Sequence, residues 1–150
     1  MEILDYFESD RQARWLEQIG KSDWSAGQFL CSLLREDRLK ELCGESTQVL
    51  LLTEGDSLLA FCTYAERDDI QPTGLRPWLG FAYTFPAYRG RRLLGRLLDR
   101  AAALAREQGF PALYISTNHV GLYERYGCVF DRVLNDIHGE PSRVYRRDVL

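Results

Sequence analysis

Several residue types are scarce in this sequence, and each shortage removes a class of protein from consideration. Only two of the 19 basic residues are lysines, Lys21 and Lys40, and the formal net charge is −3. A general nucleic-acid-binding surface, which needs a broad basic face, is therefore not expected. No apolar run approaches the roughly 20 residues of a membrane-spanning helix. The acidic start MEILDYFESD also lacks the basic and apolar regions of a signal peptide. We expect a cytoplasmic protein without a membrane or nucleic-acid partner.

Cysteine and histidine are also few. The four cysteines stand far apart among apolar neighbours, with no C-x-x-C pair: Cys31, Cys43, Cys62 and Cys128. This placement is typical of buried thiols in a reducing compartment. Only His119 and His138 could join them, so no metal site is expected.

The remaining composition is that of an ordinary globular protein. A length of 150 residues and a hydrophobic fraction of 45% predict one domain, 1–150, with a single core. Hydrophobic periodicity predicts the element order βααβββαβαββ, with a helical region ending near Gly44, a strand at 78–85 and a helix at about 91–108. Alternation along that strand predicts Leu79, Phe81 and Tyr83 on one face. The order indicates an α+β fold, a mixed β-sheet with helices on both faces.

Arginine is concentrated around the start of the 91–108 helix. Six arginines lie in this stretch: Arg89, Arg91, Arg92, Arg96, Arg100 and Arg106. The helix dipole favours acidic residues in the first turn, so arginines around Gly90 break the local rule and indicate an anion site. The alternative is a solvated first turn. No G-K-[ST] follows, and no second glycine has the dinucleotide spacing. A cofactor diphosphate held outside both frameworks is therefore expected.

Two stretches carry a family resemblance. FAYTFPAYRGRRLLGRLLDRA and LYISTNHVGLYERYGCVF resemble the GNAT superfamily of acyl-CoA-dependent N-acetyltransferases. The resemblance implies acetyl-CoA as co-substrate, with a diphosphate turn patterned [QR]-x-x-G-x-[GA]. Arg92 and Leu94 occupy the two glycine positions of that pattern, and Gly95 comes one place late. The implied cofactor contacts are strand residues 82–84 and the turn that follows: Ala82, Tyr83, Thr84, Arg89, Gly90, Arg91, Arg92, Leu93, Leu94 and Gly95.

The motif GLYERYG resembles the family's L-Y-E-x-x-G, which it matches in full. In the family this tyrosine often protonates the departing thiolate, so the resemblance implies Tyr123 as the catalytic acid. It also implies that Asn118, which lies before this motif, contacts the cofactor.

The remaining requirement is a base and an acceptor site, because an alkyl ammonium has a pKa near ~10 and must lose a proton before it attacks. Glu66, Asp68 and Asp69 stand in AERDDIQP, between the third strand and the cofactor strand. We predict that they bind a cationic acceptor and that one carboxylate is the base. A solvated acidic loop is the equal alternative. His119 is a further candidate for base or acceptor contact, against a structural role as a polar cap.

Two functions remain open at this point. The first is an N-acetyltransferase that moves an acetyl group from acetyl-CoA to a small-molecule or peptide amine by direct transfer. The second is a non-catalytic acyl-CoA-binding regulatory module, which would keep the turn without the chemistry. An arginine-rich RNA-binding domain is disfavoured by the acidic balance. A homodimer is one assembly that the sequence leaves open.

Overall fold

A seven-stranded mixed sheet organises the chain, whose residues 1–150 are all described by this computed structural model. The strands are β1 (Glu2–Asp5), β2 (Gln48–Glu54), β3 (Ser57–Ala65), β4 (Trp78–Thr84), β5 (Ala112–Ser116), β6 (Val129–Asn135) and β7 (Pro141–Asp148). The α-helices are α1 (Gln12–Ile19), α2 (Ser25–Arg35), α3 (Leu39–Cys43) and α4 (Leu93–Glu107). Three short 3-10 turns complete the order: Tyr6–Glu8, Pro86–Tyr88 and Tyr123–Tyr126.

The strand order is β1-β2-β3-β4-β5-β7-β6, and every neighbouring pair is antiparallel except β4 and β5. These two parallel strands pair only at Trp78 with Tyr114 and at Leu79 with Ile115. Beyond Leu79 the strands no longer pair with each other, so a gap opens in the middle of the sheet.

Helices cover both faces of the sheet, as the sequence predicted. The apolar side of α4 packs against one face of the sheet. Its residues Leu93, Leu97 and Ala101 belong to the same buried hydrophobic cluster as strand residues such as Ile115. Helices α1 and α2 pack on the other face, where Trp15 and Leu30 join a second cluster. A 15-residue helix with a broad apolar stripe is suited to lie flat on a sheet. The α+β prediction is confirmed.

The predicted alternation along β4 is wrong at its centre. Leu79 packs with the α4 cluster, whereas Phe81 and Tyr83 pack with the α1–α2 cluster. The cause is a β-bulge: β3 pairs Phe61 with Tyr83 but Thr63 with Gly80, and Phe81 has a φ of +50°. The extra residue in β4 reverses the facing of the side chains that follow.

Helix boundaries differ from the predicted ones for a related reason. The helical region that ends near Gly44 is two helices, α2 and α3, separated around Asp37, whose φ is +57°. Helix α4 begins at Leu93 rather than at 91, because Arg92 is left-handed with a φ of +58°. The short helix predicted in GLYERYG is a single 3-10 turn. In each case a residue with positive φ, which apolar periodicity does not indicate, lies at the boundary.

Candidate active site

The gap between β4 and β5 holds a cavity of about 300 Å³. Its walls come from both faces of the sheet, since they include Leu79 from the α4 side and Phe81 from the α2 side. The sequence-predicted site residues that line it are Asp68, Asp69, Ala82, His119 and Tyr123. Residues from three distant parts of the chain therefore meet at one place, where the sheet is least continuous.

Tyr123 is almost fully buried, with 6% of its surface exposed, yet it lines the cavity. Burial raises the pKa of its phenol, and the nearby Cys62 and Cys128 thiols and the Asp68 carboxyl raise it further. No hydrogen bond to a protein group offsets this shift. The phenol thus stays protonated over the physiological pH range, and its proton is available to a group that occupies the cavity.

The local sequence explains how Tyr123 is held there. The carboxylate of Glu124 accepts the Gly121 N–H through both oxygens, each at 3.0 Å. Gly127, with a φ of +81°, ends the turn, and the Cys128 N–H donates to the Tyr123 carbonyl at 3.3 Å. Glutamate and glycine in this motif are therefore structural residues that fix the tyrosine.

Asp68 reaches the cavity because residue 80 has no side chain. A Cβ on Gly80 would lie 2.0 Å from Asp68 Oδ1 and 3.0 Å from Thr63 Oγ1. Burial, followed by repulsion from Asp69, raises the pKa of the Asp68 carboxyl well above its usual range. A carboxylate in such a position is a stronger base than an exposed one. The buried Thr63 hydroxyl has no hydrogen-bond partner, which leaves a polar group beside this carboxyl.

One wall of the cavity is built by long-range pairing. The Ile137 N–H donates to the Asp69 carbonyl at 2.8 Å, and the Gln71 N–H donates to the Asn135 carbonyl at 3.0 Å. These bonds fasten the connection from β6 to β7 to the loop after β3 and bring His138 to the cavity. His138 is not among the residues that the sequence predicted for this site. No local signal could have found it, because its position depends on a contact between segments about 65 residues apart.

The turn between β4 and α4 presents free backbone donors. The N–H groups of five consecutive residues, 90–94, donate no hydrogen bond within the chain. The N–H of the next residue is not free, since the Gly95 N–H donates to the Arg92 carbonyl at 3.2 Å. Gly90 has a φ of +85° and Arg92 one of +58°, so both residues are left-handed. These amides, at the positive end of a long helix, suit an anion.

The arginines of this turn are exposed, and none of them forms an ion pair. Asp99, the acidic residue in the middle of α4, pairs with Arg147 of β7. The Arg89 Nε donates to the Thr84 carbonyl at 2.9 Å, which folds the turn back on β4. The Arg92 guanidinium lies 5.1 Å from the centre of the Tyr126 ring. The turn therefore carries positive charge that no acidic side chain neutralises.

Gly95 has a packing role that links the two motifs. A Cβ at this position would lie 2.8 Å from Cε1 of Tyr126, so the ring of Tyr126 rests directly on the first turn of α4. Arg92 covers the same ring. The position of Tyr123, three residues earlier, is thereby tied to the position of the turn between β4 and α4.

Besides Thr84 and the residues of the turn, three predicted site residues do not line the cavity. Glu66 accepts a hydrogen bond from Ser46 Oγ at 2.8 Å. Asn118 Oδ1 accepts the Arg143 N–H at 3.3 Å. The Tyr83 hydroxyl donates to Asp23 Oδ1 at 2.5 Å on the α2 side of the sheet. The structure does not bring these side chains to Tyr123 and Asp68, so their contacts with ligands stay predictions.

Comparison with known proteins identifies the family of this fold. The model of the acetyltransferase (GNAT) family matches residues 5–128. The chain therefore belongs to the GNAT acetyltransferase family. No protein of curated function matches it in sequence, and no helix has the length and apolar character needed to cross a bilayer.

Solved structures share the fold at low sequence identity. An aminoglycoside 6'-N-acetyltransferase from Enterococcus faecium superposes with a TM-score of 0.69 at 11% identity, over 100% of this chain and 98% of that one. A GNAT-family acetyltransferase from Staphylococcus aureus superposes with a TM-score of 0.64 at 15% identity, over 99% of both chains. An aminoglycoside 6'-N-acetyltransferase in complex with coenzyme A gives a TM-score of 0.66 at 12% identity, over 100% and 98%.

Proposed function

We propose that this protein transfers an acetyl group from acetyl-CoA directly to the primary amine of a small-molecule or peptide acceptor. The observation that carries the proposal is the convergence of Tyr123 and Asp68 on one cavity beside the turn with free amides. The first residue supplies a proton, and the second accepts one. Acyl transfer from a thioester to an amine needs both.

The turn supports acetyl-CoA as the donor. Five free N–H groups and three unpaired arginines, Arg89, Arg91 and Arg92, match the negative charge of a diphosphate. The edge of β4 from Ala82 to Thr84, which β5 leaves unpaired, would hold the pantetheine arm by backbone hydrogen bonds. A related fold binds coenzyme A in the aminoglycoside 6'-N-acetyltransferase complex.

The proposed reaction has three proton or bond events. Asp68 removes a proton from the ammonium of the acceptor, directly or through water. The amine nitrogen then attacks the thioester carbonyl carbon, and a backbone N–H of β4 stabilises the negative charge on the oxygen. As the tetrahedral intermediate collapses, the C–S bond breaks and the sulfur takes the Tyr123 proton. The nitrogen loses its second proton in this step, which returns through water to the Tyr123 phenolate, and the proton on Asp68 passes to solvent. The products are an amide and coenzyme A, and no enzyme nucleophile is required.

A regulatory module that binds acyl-CoA without chemistry remains the alternative, favoured by the arginine at the first glycine position of the turn. Two measurements distinguish these functions. Acetyl-CoA at ~100 times its Kd stabilises a protein by about 2.7 kcal/mol, which for a chain of this length raises Tm by roughly 5–10 °C. Pantetheine without phosphates should shift Tm much less.

The second measurement is acetylation of an amine panel, with coenzyme A release as the readout. Amine-dependent release supports the transferase. A thermal shift without amine-dependent release supports the module. Equal thermal shifts from acetyl-CoA and from pantetheine would contradict the assignment of the turn itself.

A further inference from the structure

The mouth of the cavity is apolar, although it faces water. Phe29 of α2 is 48% exposed, Leu42 of α3 is 40% exposed and Ile137, between β6 and β7, is 50% exposed. All three line the cavity between β4 and β5. Exposed apolar side chains that converge from three separate segments on one opening indicate a binding site for an apolar group.

The interior of the cavity continues this character. Trp24 and Phe81 line it, and the Phe81 ring lies 6.3 Å from the Phe29 ring. The two carboxyls, of Asp68 and Asp69, are the acidic groups of the lining, and no lysine or arginine lies among its residues. Four other titratable side chains line the cavity: Cys43, His119, Tyr123 and His138. The wall therefore combines a small negative region with a larger aromatic and aliphatic one.

From this we infer the class of acceptor, an inference that rests on the proposed function. The acceptor is a small amine with a single ammonium group and an aromatic or branched apolar body. Its ammonium faces Asp68, and its apolar body contacts Phe29, Leu42 and Ile137. A polycationic, hydroxyl-rich aminoglycoside is excluded, because these apolar side chains offer its further ammonium and hydroxyl groups no partners.

The size of the cavity supports a small acceptor. Its volume of about 300 Å³ is at the lower end for ligand pockets. Part of this space, beside Gly80 and Ala82, would be taken by the thioester. The remaining space fits one ring and a short alkyl chain.

The test compares three amines for binding to protein saturated with coenzyme A, using titration calorimetry. The probes are 2-phenylethylamine, ethylamine and kanamycin. Because burying a ring removes apolar surface from water, 2-phenylethylamine should bind about tenfold to a hundredfold more tightly than ethylamine. Equal binding of the first two, or tighter binding of kanamycin, would overturn the inference.

A variant pair locates the effect. Phe29→Ser removes a half-exposed side chain, so the fold should persist, and it should reduce the advantage of 2-phenylethylamine over ethylamine by at least about threefold. Val133→Ser is the matched control, since Val133 is 53% exposed on β6 and is not part of the cavity lining. That variant should keep the full advantage. A loss of equal size in both variants would contradict a role for the mouth.

The proposed function and the inferred acceptor class can be contradicted separately. If 2-phenylethylamine binds selectively and no amine is acetylated, the proposed function is wrong and the inference about the pocket stands. If kanamycin or a lysine-containing peptide is acetylated with a higher kcat/KM than 2-phenylethylamine, the transferase stands and the acceptor class is wrong.

Discussion

Two regions lie next to each other along β4, the turn that we propose holds the diphosphate and the cavity that we propose holds the acceptor, and they are built in opposite ways. The turn is exposed at residues 89–92, positively charged and formed locally, and the groups that it presents are backbone N–H groups and arginines. The cavity is apolar, contains two carboxyls and is assembled from segments throughout the chain. One region stays open to water, and the other removes water from the groups that react.

This difference suits the two tasks that we propose for these regions. Holding a diphosphate needs many hydrogen-bond donors and positive charge. Backbone amides and arginines supply both, and they do not have to be buried to do so. Moving a proton needs a base that is strong enough and an acid that is still protonated, and desolvation favours both conditions. Both Asp68 and Tyr123 have raised pKa values for which burial is the largest cause. Variants of each region should therefore separate binding of the donor from chemistry.

The largest expected effect is that of Tyr123→Phe. General acid catalysis typically contributes about 10²–10⁴-fold, so kcat should fall by a factor in this range. The Phe ring retains its packing, and acetyl-CoA affinity should stay within about threefold because the turn is unchanged. Single-turnover measurement is the appropriate readout, since slow product release would hide a loss in the chemical step. A near-normal single-turnover rate would make Tyr123 a packing residue.

A smaller but still large effect is expected from Asp68→Asn. Loss of the base should lower kcat/KM for the amine by about 10²-fold and raise the acceptor KM, with acetyl-CoA affinity unchanged. In the wild type, kcat/KM should rise with pH through the elevated pKa of Asp68, and the Asn variant should lose this limb. Asp69→Asn should mainly raise the acceptor KM, since Asp69 is exposed. An unaltered pH profile in Asp68→Asn would show that Asp68 is not the base.

Stability gives a second readout of the same carboxyl. Because the pKa of Asp68 is raised in the folded state, the native protein binds more protons than the unfolded chain between the ordinary and the raised pKa. The free energy of unfolding of the wild type should therefore fall as pH rises through this interval. Asp68→Asn should weaken that dependence.

Gly80→Ala, whose Cβ would displace the Asp68 carboxyl, should reproduce the kinetic defect without changing any polar residue.

Sequence reasoning predicted the turn better than the cavity, and the reason is distance along the chain. The turn and the Tyr123 motif are each formed within about ten residues, so the local residue types indicate where each of them lies. The order of strands and helices was also predictable from periodicity. Residues such as His138 and Ile137 reach the cavity only through pairing with the loop after β3, which no local pattern reports. The bulge at Phe81 and the left-handed Arg92 were missed because apolar periodicity does not encode positive φ.

The smallest effect concerns that left-handed residue. Arg92, with a φ of +58°, occupies a glycine position of the family pattern, and a left-handed conformation costs a residue with a Cβ roughly 1–2 kcal/mol. Arg92→Gly and Arg92→Ala both remove the guanidinium and its contact with Tyr126, but only the first relieves the backbone. The Gly variant should therefore melt about 2–8 °C above the Ala variant. Both should bind acetyl-CoA more weakly than the wild type, by about the same factor, because both lose one positive charge at the diphosphate. Arg106→Ala, near the other end of α4, is the control for loss of an arginine away from the turn. If the Ala variant melts as high as the Gly variant, residue 92 carries no strain, and the arginine is compatible with the turn as it stands.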